Sequence, residues 1–372
     1  MPVVFSKPSS GFSLIEGMKQ KLLALTTVAA LTASSAFAQS GVTMFGVLDT
    51  SVAHIDTGNG SNTGLSSGGL ASSRLGFRGV EDLGAGMTAG FWLEGGLGVD
   101  TGTASGFSFD RRSTVSLSAK SLGEIRIGRD KTPAYLNIET FDPVNDIGVG
   151  GYGGSNMIGG TGTAVGTPEG SAPKRASNGI HYLLPDTLGG FYGQVHYAFG
   201  EQASGVANAK LRDSVAGRIG YKAGAVNVGL GYGEIRGGTT AAGVDYRSTN
   251  IGGSYDFEFI KPMVLFATER GNGRRIDLLG VGLTAPLGRG EIRASFSNFK
   301  RKDIGNADST KLALGYGYDL SKRTQLYATV ARVRNDGNAT RGLTVSSSAL
   351  SSPGIVAGDN VTGYEFGVRH SF

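Results

Sequence analysis

A two-residue alternation of apolar and polar side chains repeats along most of this chain, and it leaves few folds open. In "GYEFGVRHSF", Tyr364, Phe366, Val368 and Phe372 share one parity, while Glu365 and Arg369 take the other. In "STKLALGYGYDL", Leu312, Leu314, Tyr316 and Tyr318 lie opposite Lys311 and Asp319. In "GEIRASFSNF", Ile292, Ala294 and Phe296 oppose Glu291, Arg293 and Ser295. "VNVGLGYGEI" and "GFYGQVHYAF" repeat the pattern, with glycines, Gln194 and His196 on the second parity. Each stretch reads as a strand with one apolar face and one polar or very small face. Beyond the first 40 residues, no stretch carries the 3.6-residue pattern of a three-turn amphipathic helix.

The connections come in two lengths. Short turns read at 81–87, 120–125, 185–191, 222–227, 286–292 and 319–325. Longer polar segments read at 56–72, 99–110, 133–175, 200–212, 236–246, 270–275, 300–309 and 334–360. Strict alternation of tight turn and long loop predicts antiparallel up-and-down strands with unlike ends. A two-layer sandwich would need large apolar residues on an inner face. Here the second face carries Arg, Glu, Gln, His and Gly, so a second apolar face is not expected. One apolar face must then meet lipid, and a closed barrel leaves no unpaired backbone in hydrocarbon. The expected fold is all-β, a 16-stranded antiparallel transmembrane barrel. Its first strand lies near Val42–Ala53 and its last at Val361–Phe372.

Composition agrees. Glycine is abundant, 63 of 372 residues, but without a Gly-X-Y period, which excludes collagen. Tyr and Phe at strand-like spacing argue against disorder. The absence of cysteine excludes disulfides and thiolate metal sites.

The N-terminus offers two export signals. "GFSLIE" after Lys7 resembles a prepilin cleavage site, but Gly17, Lys19, Gln20 and Lys21 interrupt the helix a pilin would need. From Met18 the features of a secretory signal peptide follow in order. Lys19 and Lys21 are basic, Leu22–Leu31 is apolar, and Ala36-Phe37-Ala38 is an A-x-A-like cleavage site. Residues 1–38 are expected to be the signal peptide, with 1–17 an over-extended start, and 39–372 the barrel. Losing Lys7, Lys19, Lys21 and Glu16 leaves 32 basic and 29 acidic residues, a mild +3 that does not suggest nucleic acid.

Several longer stretches carry a family resemblance. They are "VTMFGVLDTSVAHI", "SRLGFRGVEDLGAGMTAGFWLEGG", "DRRSTVSLSAKSLGEIRIGRD", "YGYDLSKRTQLYATVARVRND" and "GYEFGVRHSF". Together they resemble the general trimeric porins of Gram-negative bacteria, most closely the β-proteobacterial type. The resemblance implies a passive, water-filled diffusion channel in the outer membrane, assembled as a homotrimer. It implies a third loop folded into the lumen and a C-terminal phenylalanine, Phe372, that signals assembly to the barrel-assembly machinery.

Selectivity in such a channel needs fixed charge at the narrowest point. Arg74 and Arg78 lie on the parity opposite Leu75 and Phe77 and should face the lumen, because arginine facing lipid costs about 2–4 kcal/mol at mid-membrane. The resemblance places Arg74 in a basic ladder, followed by Arg111 and then Arg175, with Lys174 as neighbour and substitute. Counting back from Val115 and Leu117 instead turns Arg112 inward, so both Arg111 and Arg112 stand as candidates. The segment 133–175 reads as the constricting loop. Its acids, Glu139, Asp142 and Asp146, are expected opposite the arginines. Glu94 is a further lumen carboxylate, and Trp92, on its parity, faces the lumen or an interface.

Other motifs carry little. "GLSSG" (Gly64–Gly68) matches G-x-S-x-G but sits in what reads as a Ser/Gly loop with no strand-to-helix turn. Gly229–Gly233 is barrel alternation rather than a dinucleotide loop. His54, His181, His196 and His370 are scattered, without ligand-pair spacing. The expectation is a channel for small hydrophilic solutes and ions, preferring anions, with no cofactor, no metal, no nucleic-acid partner and no enzymatic activity. Outer-membrane lipids and small anions are the other partners. A substrate-specific channel, a barrel serving mainly as adhesin or surface antigen, and a barrel hydrolase are the rival readings.

Overall fold

The computed structural model describes residue 1 and residues 41–103, 108–154, 157–158, 173–203, 205–206, 209–237, 244–343, 345, 350 and 353–372. "GFSLIE", the signal-peptide features and the stretch 159–172 of the third loop lie outside the described residues. The strands are β1 (Val42–Asp56), β2 (Ser61–Ser67), β3 (Arg74–Gly84), β4 (Met87–Gly96), β5 (Arg112–Ala119), β6 (Gly123–Lys131), β7 (Arg175–Leu183), β8 (Phe191–Ala198) and β9 (Ser214–Ala223). The wall continues with β10 (Val226–Ile235), β11 (Tyr246–Tyr255), β12 (Lys261–Gly271), β13 (Arg274–Leu287), β14 (Gly290–Arg301), β15 (Ser309–Asp319), β16 (Thr324–Asn335) and β17 (Val361–Ser371). One helix, α1 (Pro133–Thr140), follows β6.

Neighbouring strands pair antiparallel in sequence order, and β1 pairs with β17 to close the sheet. β2 lies along Thr50–Asp56 of β1, and β3 along Val42–Val47. They are two halves of one stave, so the closed barrel has sixteen staves. Where Gly68–Ser73 leave the ladder, buried Asp49 replaces the lost partners. Its carboxylate accepts the N–H groups of Gly69 (3.2 Å), Leu70 (3.0 Å) and Ala71 (2.6 Å). The barrel can tolerate the break because those donors stay satisfied. The C-terminal residue completes the seam, with Phe372 and Gly46 exchanging two backbone hydrogen bonds of 3.1 Å.

Two expected loops are shorter. Segment 56–72 contains β2, and "GLSSG" therefore lies largely on a strand rather than in a loop. Segment 270–275 reduces to a two-residue turn. Asn272 and Gly273 both have positive φ, +53° and +69°, as a hairpin following the right-handed twist of its strands requires.

The inner face holds the larger departure. β12 and β13 are apolar on both parities. Val264, Phe266, Leu279 and Val281 are exposed toward lipid, while Leu265, Ala267, Ile276 and Leu278 are buried inside. The inner set packs with Ile138, Phe141, Tyr152, Met157, Ile158 and Phe299. A second apolar cluster joins Ile55, Val149, Val333, Leu343 and Val361. A polar inner face thus describes only part of the wall, because the loops after β6 and β16 fold inward and cover the rest.

Candidate pore constriction

The third loop starts with a well-capped helix. The Thr132 hydroxyl accepts the Tyr135 N–H (3.4 Å), and Pro133 stands at the first turn, where its missing N–H costs nothing. The helix lies against β10 and β11. Asn137 donates to Gly229 O (3.1 Å) and Asn250 Oδ1 (2.7 Å), and Asn250 donates back to Ala134 O (3.1 Å).

Glycines in the wall are sockets for this loop. A Cβ at Gly252 would stand 2.2 Å from the Phe141 ring, and one at Gly280 would stand 2.7 Å from the Tyr152 ring. Beyond the helix, Ser295 donates to Gly150 O (2.7 Å) and Ser297 to Tyr152 O (3.2 Å). Lys311 Nζ donates to Gly151 O, and Glu365 accepts the Val149 N–H (3.4 Å). The loop is therefore fixed along β10–β17, and its charged side faces β3–β7.

On that facing wall the strand ends bring charges together. Glu94 of β4 accepts from Arg111 Nε (2.6 Å) and lies 3.7 Å from Arg74 Nε. Arg175 Nε donates to Arg111 O (2.9 Å). Lys131 closes a two-pronged pair with Glu139 of α1 (2.7 and 2.6 Å). Lys174 lies 3.8 Å from Asp146, and both lysines stand over the Tyr135 ring, at 5.8 and 5.4 Å. Five cationic side chains thus surround three carboxylates.

The alternatives at 111 and 112 resolve into two roles. Arg112 is the first residue of β5 and lies opposite Glu94, so parity turns it inward. There it contacts Asp130 (3.6 Å) and the Trp92 ring (4.7 Å). Arg111 precedes the strand, escapes its parity and reaches Glu94. Trp92 faces inward and donates from Nε1 to Glu94 (3.2 Å). Arg78 lies lower on β3, between the Phe45 and Trp92 rings at 5.3 and 5.2 Å, away from the ring of charges.

Of the two other loop acids, Asp142 departs from its expected place, while Asp146 keeps one oxygen toward a cation. Asp142 is buried, and its oxygens accept the Val144 N–H (2.9 Å) and the Tyr152 N–H (2.5 Å), so it shapes the loop rather than facing the arginines. Burial, with the nearby charge of Asp146, pushes its carboxyl up to about 7. Asp146 is also buried, and accepts from Gly153 and Gly154 (both 2.9 Å) while its second oxygen approaches Lys174. The segment "FDPVND" doubles back on itself, and a turn's carboxylates serve its own N–H groups first.

Sequence reasoning missed Lys131, Arg126 and Asp130. Arg126 grips Glu124 (2.7 and 2.8 Å) and reaches Asp130 (3.1 Å). Its parity opposite Ile125 and Ile127 was the available signal. Lys131 gave none, since a register shift between Gly128 and Asp130 resets the parity. The histidines are not all scattered. His181 and His196 are cross-strand partners with ring centroids 5.1 Å apart. No group of three metal-binding side chains occurs among the described residues.

Comparison with known proteins supplies independent findings. The family model described as Gram-negative porin matches residues 24–338. Outer membrane porin protein 32 of Delftia acidovorans is 36% identical over 364 residues, spanning 95% of this chain and 100% of that protein. An outer membrane porin protein of Bordetella pertussis is 29% identical over 378 residues, spanning 86% of this chain and 95% of that one. Among solved structures, an anion-selective porin from Comamonas acidovorans superposes with a TM-score of 0.79 at 33% identity, covering 90% of this chain and 100% of that chain.

Proposed function

The chain belongs to the Gram-negative porin family, and from that premise we propose that the charges around Glu94 and Glu139 form the constriction of a channel that prefers anions. The protein is an outer-membrane porin. In our reading Arg74, Arg111, Arg175, Lys131 and Lys174 act together as the basic side of the narrowest passage. The observation that carries this is the imbalance of the ring. Glu94 and Glu139 are each tied to cations within 2.7 Å, and Asp146 spends one oxygen on the loop's own backbone. The net field at the narrowing is then positive, and a low-dielectric wall strengthens it. The anion selectivity of the Comamonas acidovorans porin supports the same sign.

Small hydrophilic solutes and ions cross passively, without cofactor or enzymatic step. The native assembly in this reading is a homotrimer in outer-membrane lipid. It is exported through a leader cleaved after Ala38 and inserted by the barrel-assembly machinery, with Phe372 as the signal. Planar-bilayer recording of the purified protein in a salt gradient tests the proposal. Stepwise conductance with a zero-current potential of anionic sign is expected. Absence of steps would remove the pore, and a cation-selective potential would remove the assignment of charge. Arg74→Ala should lower the anion preference, and an unchanged ratio would take Arg74 out of the constriction.

A further inference from the structure

A water-filled lumen gives an aromatic side chain little reason to face it, because exposure forfeits the burial that favours apolar surface. Two aromatic side chains face it nonetheless, below the ring of charges. Trp92 of β4 is the only tryptophan of the chain, shares the inward parity of Glu94 and is half-buried. Phe45 of β1 shares the inward parity of Val47 and Asp49 and is also half-buried. Their centroids lie 4.8 Å apart, with the planes tilted by 59°. The wall makes room for them. Phe45 lies opposite Gly76, where a Cβ would collide with the phenyl group.

Two arginines complete the patch. Arg78, the direct cross-strand neighbour of Trp92, stands 5.3 Å from the Phe45 centroid and 5.2 Å from that of Trp92. Arg112 approaches Trp92 from β5, at 4.7 Å. The two cations are not equivalent. Arg112 donates from Nε to Thr114 Oγ1 (3.0 Å) and lies 3.6 Å from Asp130. Arg78 is exposed, and among the described residues no carboxylate or carbonyl takes its guanidinium N–H groups. In a packed core, a guanidinium beside aromatic groups is covered along with them. Here Phe45 and Trp92 hold the guanidinium in place while its donors stay open to the channel.

We propose that Phe45, Arg78, Trp92 and Arg112 form a subsite for aromatic carboxylates, with the carboxylate on the free fork of Arg78 and the ligand's ring against Trp92 and Phe45. A carboxylate matches two parallel N–H groups of a guanidinium. The ligand's ring packs edge-on or offset against the open part of the two aromatic side chains. Arg112 adds a second positive charge beside them. The subsite rests on the reading that anions reach this depth of the lumen. It is separate from the ring of charges, since Arg78 lies roughly 13 Å along β3 from Arg74.

Trp92 is the reporter for the test. The full-length protein in detergent is titrated with benzoate, cyclohexanecarboxylate and benzyl alcohol while tryptophan emission is read. Benzoate is also added during planar-bilayer recording. Benzoate should change the emission saturably and lower the open-channel current over the same concentration range. Cyclohexanecarboxylate, which keeps the charge without the aromatic ring, should bind about fivefold more weakly. Benzyl alcohol, which keeps the ring without the charge, should bind about tenfold more weakly. Arg78→Gln should weaken benzoate about tenfold, and Arg78→Lys, which keeps charge but loses the fork, about threefold. Phe45→Leu should narrow the preference for benzoate over cyclohexanecarboxylate. Conductance steps in KCl show an intact barrel in each variant, and Arg78→Lys carries the comparison should Arg78→Gln fail to assemble. Equal binding of the three ligands, native-like benzoate binding by the Arg78 variants, or no saturable response in either emission or current would overturn the proposal. A cation-selective potential alongside saturable benzoate binding would remove the assignment of charge at the constriction and leave this subsite standing. An anion-selective potential without benzoate binding would remove this subsite alone.

Discussion

The two sides of the lumen are built from different residues for different tasks. The wall of β3–β7 presents Arg74 and Arg111, held by Glu94, Arg112 and Arg126, held by Asp130, and Arg175, which donates to the Arg111 carbonyl. The wall of β10–β15 presents glycines and buried apolar side chains, on which Phe141 and Tyr152 of the third loop sit. In the proposed channel the first wall supplies field, and the second supplies a seat. The difference teaches that the position of Glu139, and so the shape of the constriction, is decided on the side that carries almost none of its charge.

The largest expected effect therefore comes from the apolar seat. Phe141→Ala should cost the loop about 3–5 kcal/mol of docking. It should be seen as faster hydrogen exchange across residues 133–154 and a larger, noisier conductance. Unchanged exchange would mean that the loop stands without its socket. Next is Arg341, from the loop after β16. It is buried, donates to Met157 O (3.0 Å), and has its guanidinium 3.5 Å from the Phe299 ring centre. Burial lowers its pKa to about 9, which leaves it cationic at neutral pH. Arg341→Met should cost about 1–3 kcal/mol by stranding a buried carbonyl. Limited proteolysis near Met157 should quicken, and native resistance would show the contact to be idle.

On the charged wall the effects concern selectivity. Lys131→Met removes a cation and frees Glu139, so both changes lower anion preference. Its effect on the permeability ratio should exceed that of Arg78→Ala, which acts from below the ring and is screened over roughly one Debye length, about 8–10 Å. The reverse order would move the narrowing down to Arg78. The smallest effect is with pH. The raised pKa of Asp142 leaves it neutral below about 7 and charged above. The folded loop then holds a proton that the free chain releases, so docking is firmest below the free carboxyl's value of 3.8 and weakens as pH rises through about 7. Anion preference should rise by less than about twofold from pH 8 to pH 6, because Asp142 is buried within the loop and does not face the arginines. Asp142→Asn should flatten that dependence.

Much of this was legible in the chain. Two-residue alternation exposes a lipid-facing wall wherever the other parity is polar or glycine, as on β10 and β17. It failed on β12, where "MVLFA" is apolar on both parities because a loop, not water, covers the inner face. The broken stave was hidden for a related reason. Asp49 holds three backbone donors from a distance of twenty residues or more, and no local pattern reports that. Among site residues, parity located Arg74, Glu94 and Arg112. Arg111 and Lys131 lie at strand ends, where parity no longer binds them. Asp142 and Asp146 had the right charge, but the loop's own N–H groups claimed both oxygens of Asp142 and one of Asp146.

The most direct test of the account is the zero-current potential in a tenfold KCl gradient for the native protein and for a variant carrying Arg74→Gln, Arg111→Gln and Arg175→Gln. Anion preference in the native channel, abolished or reversed in the variant with conductance steps retained, is the predicted result. A native channel that prefers cations, or a variant with an unchanged potential, would contradict it.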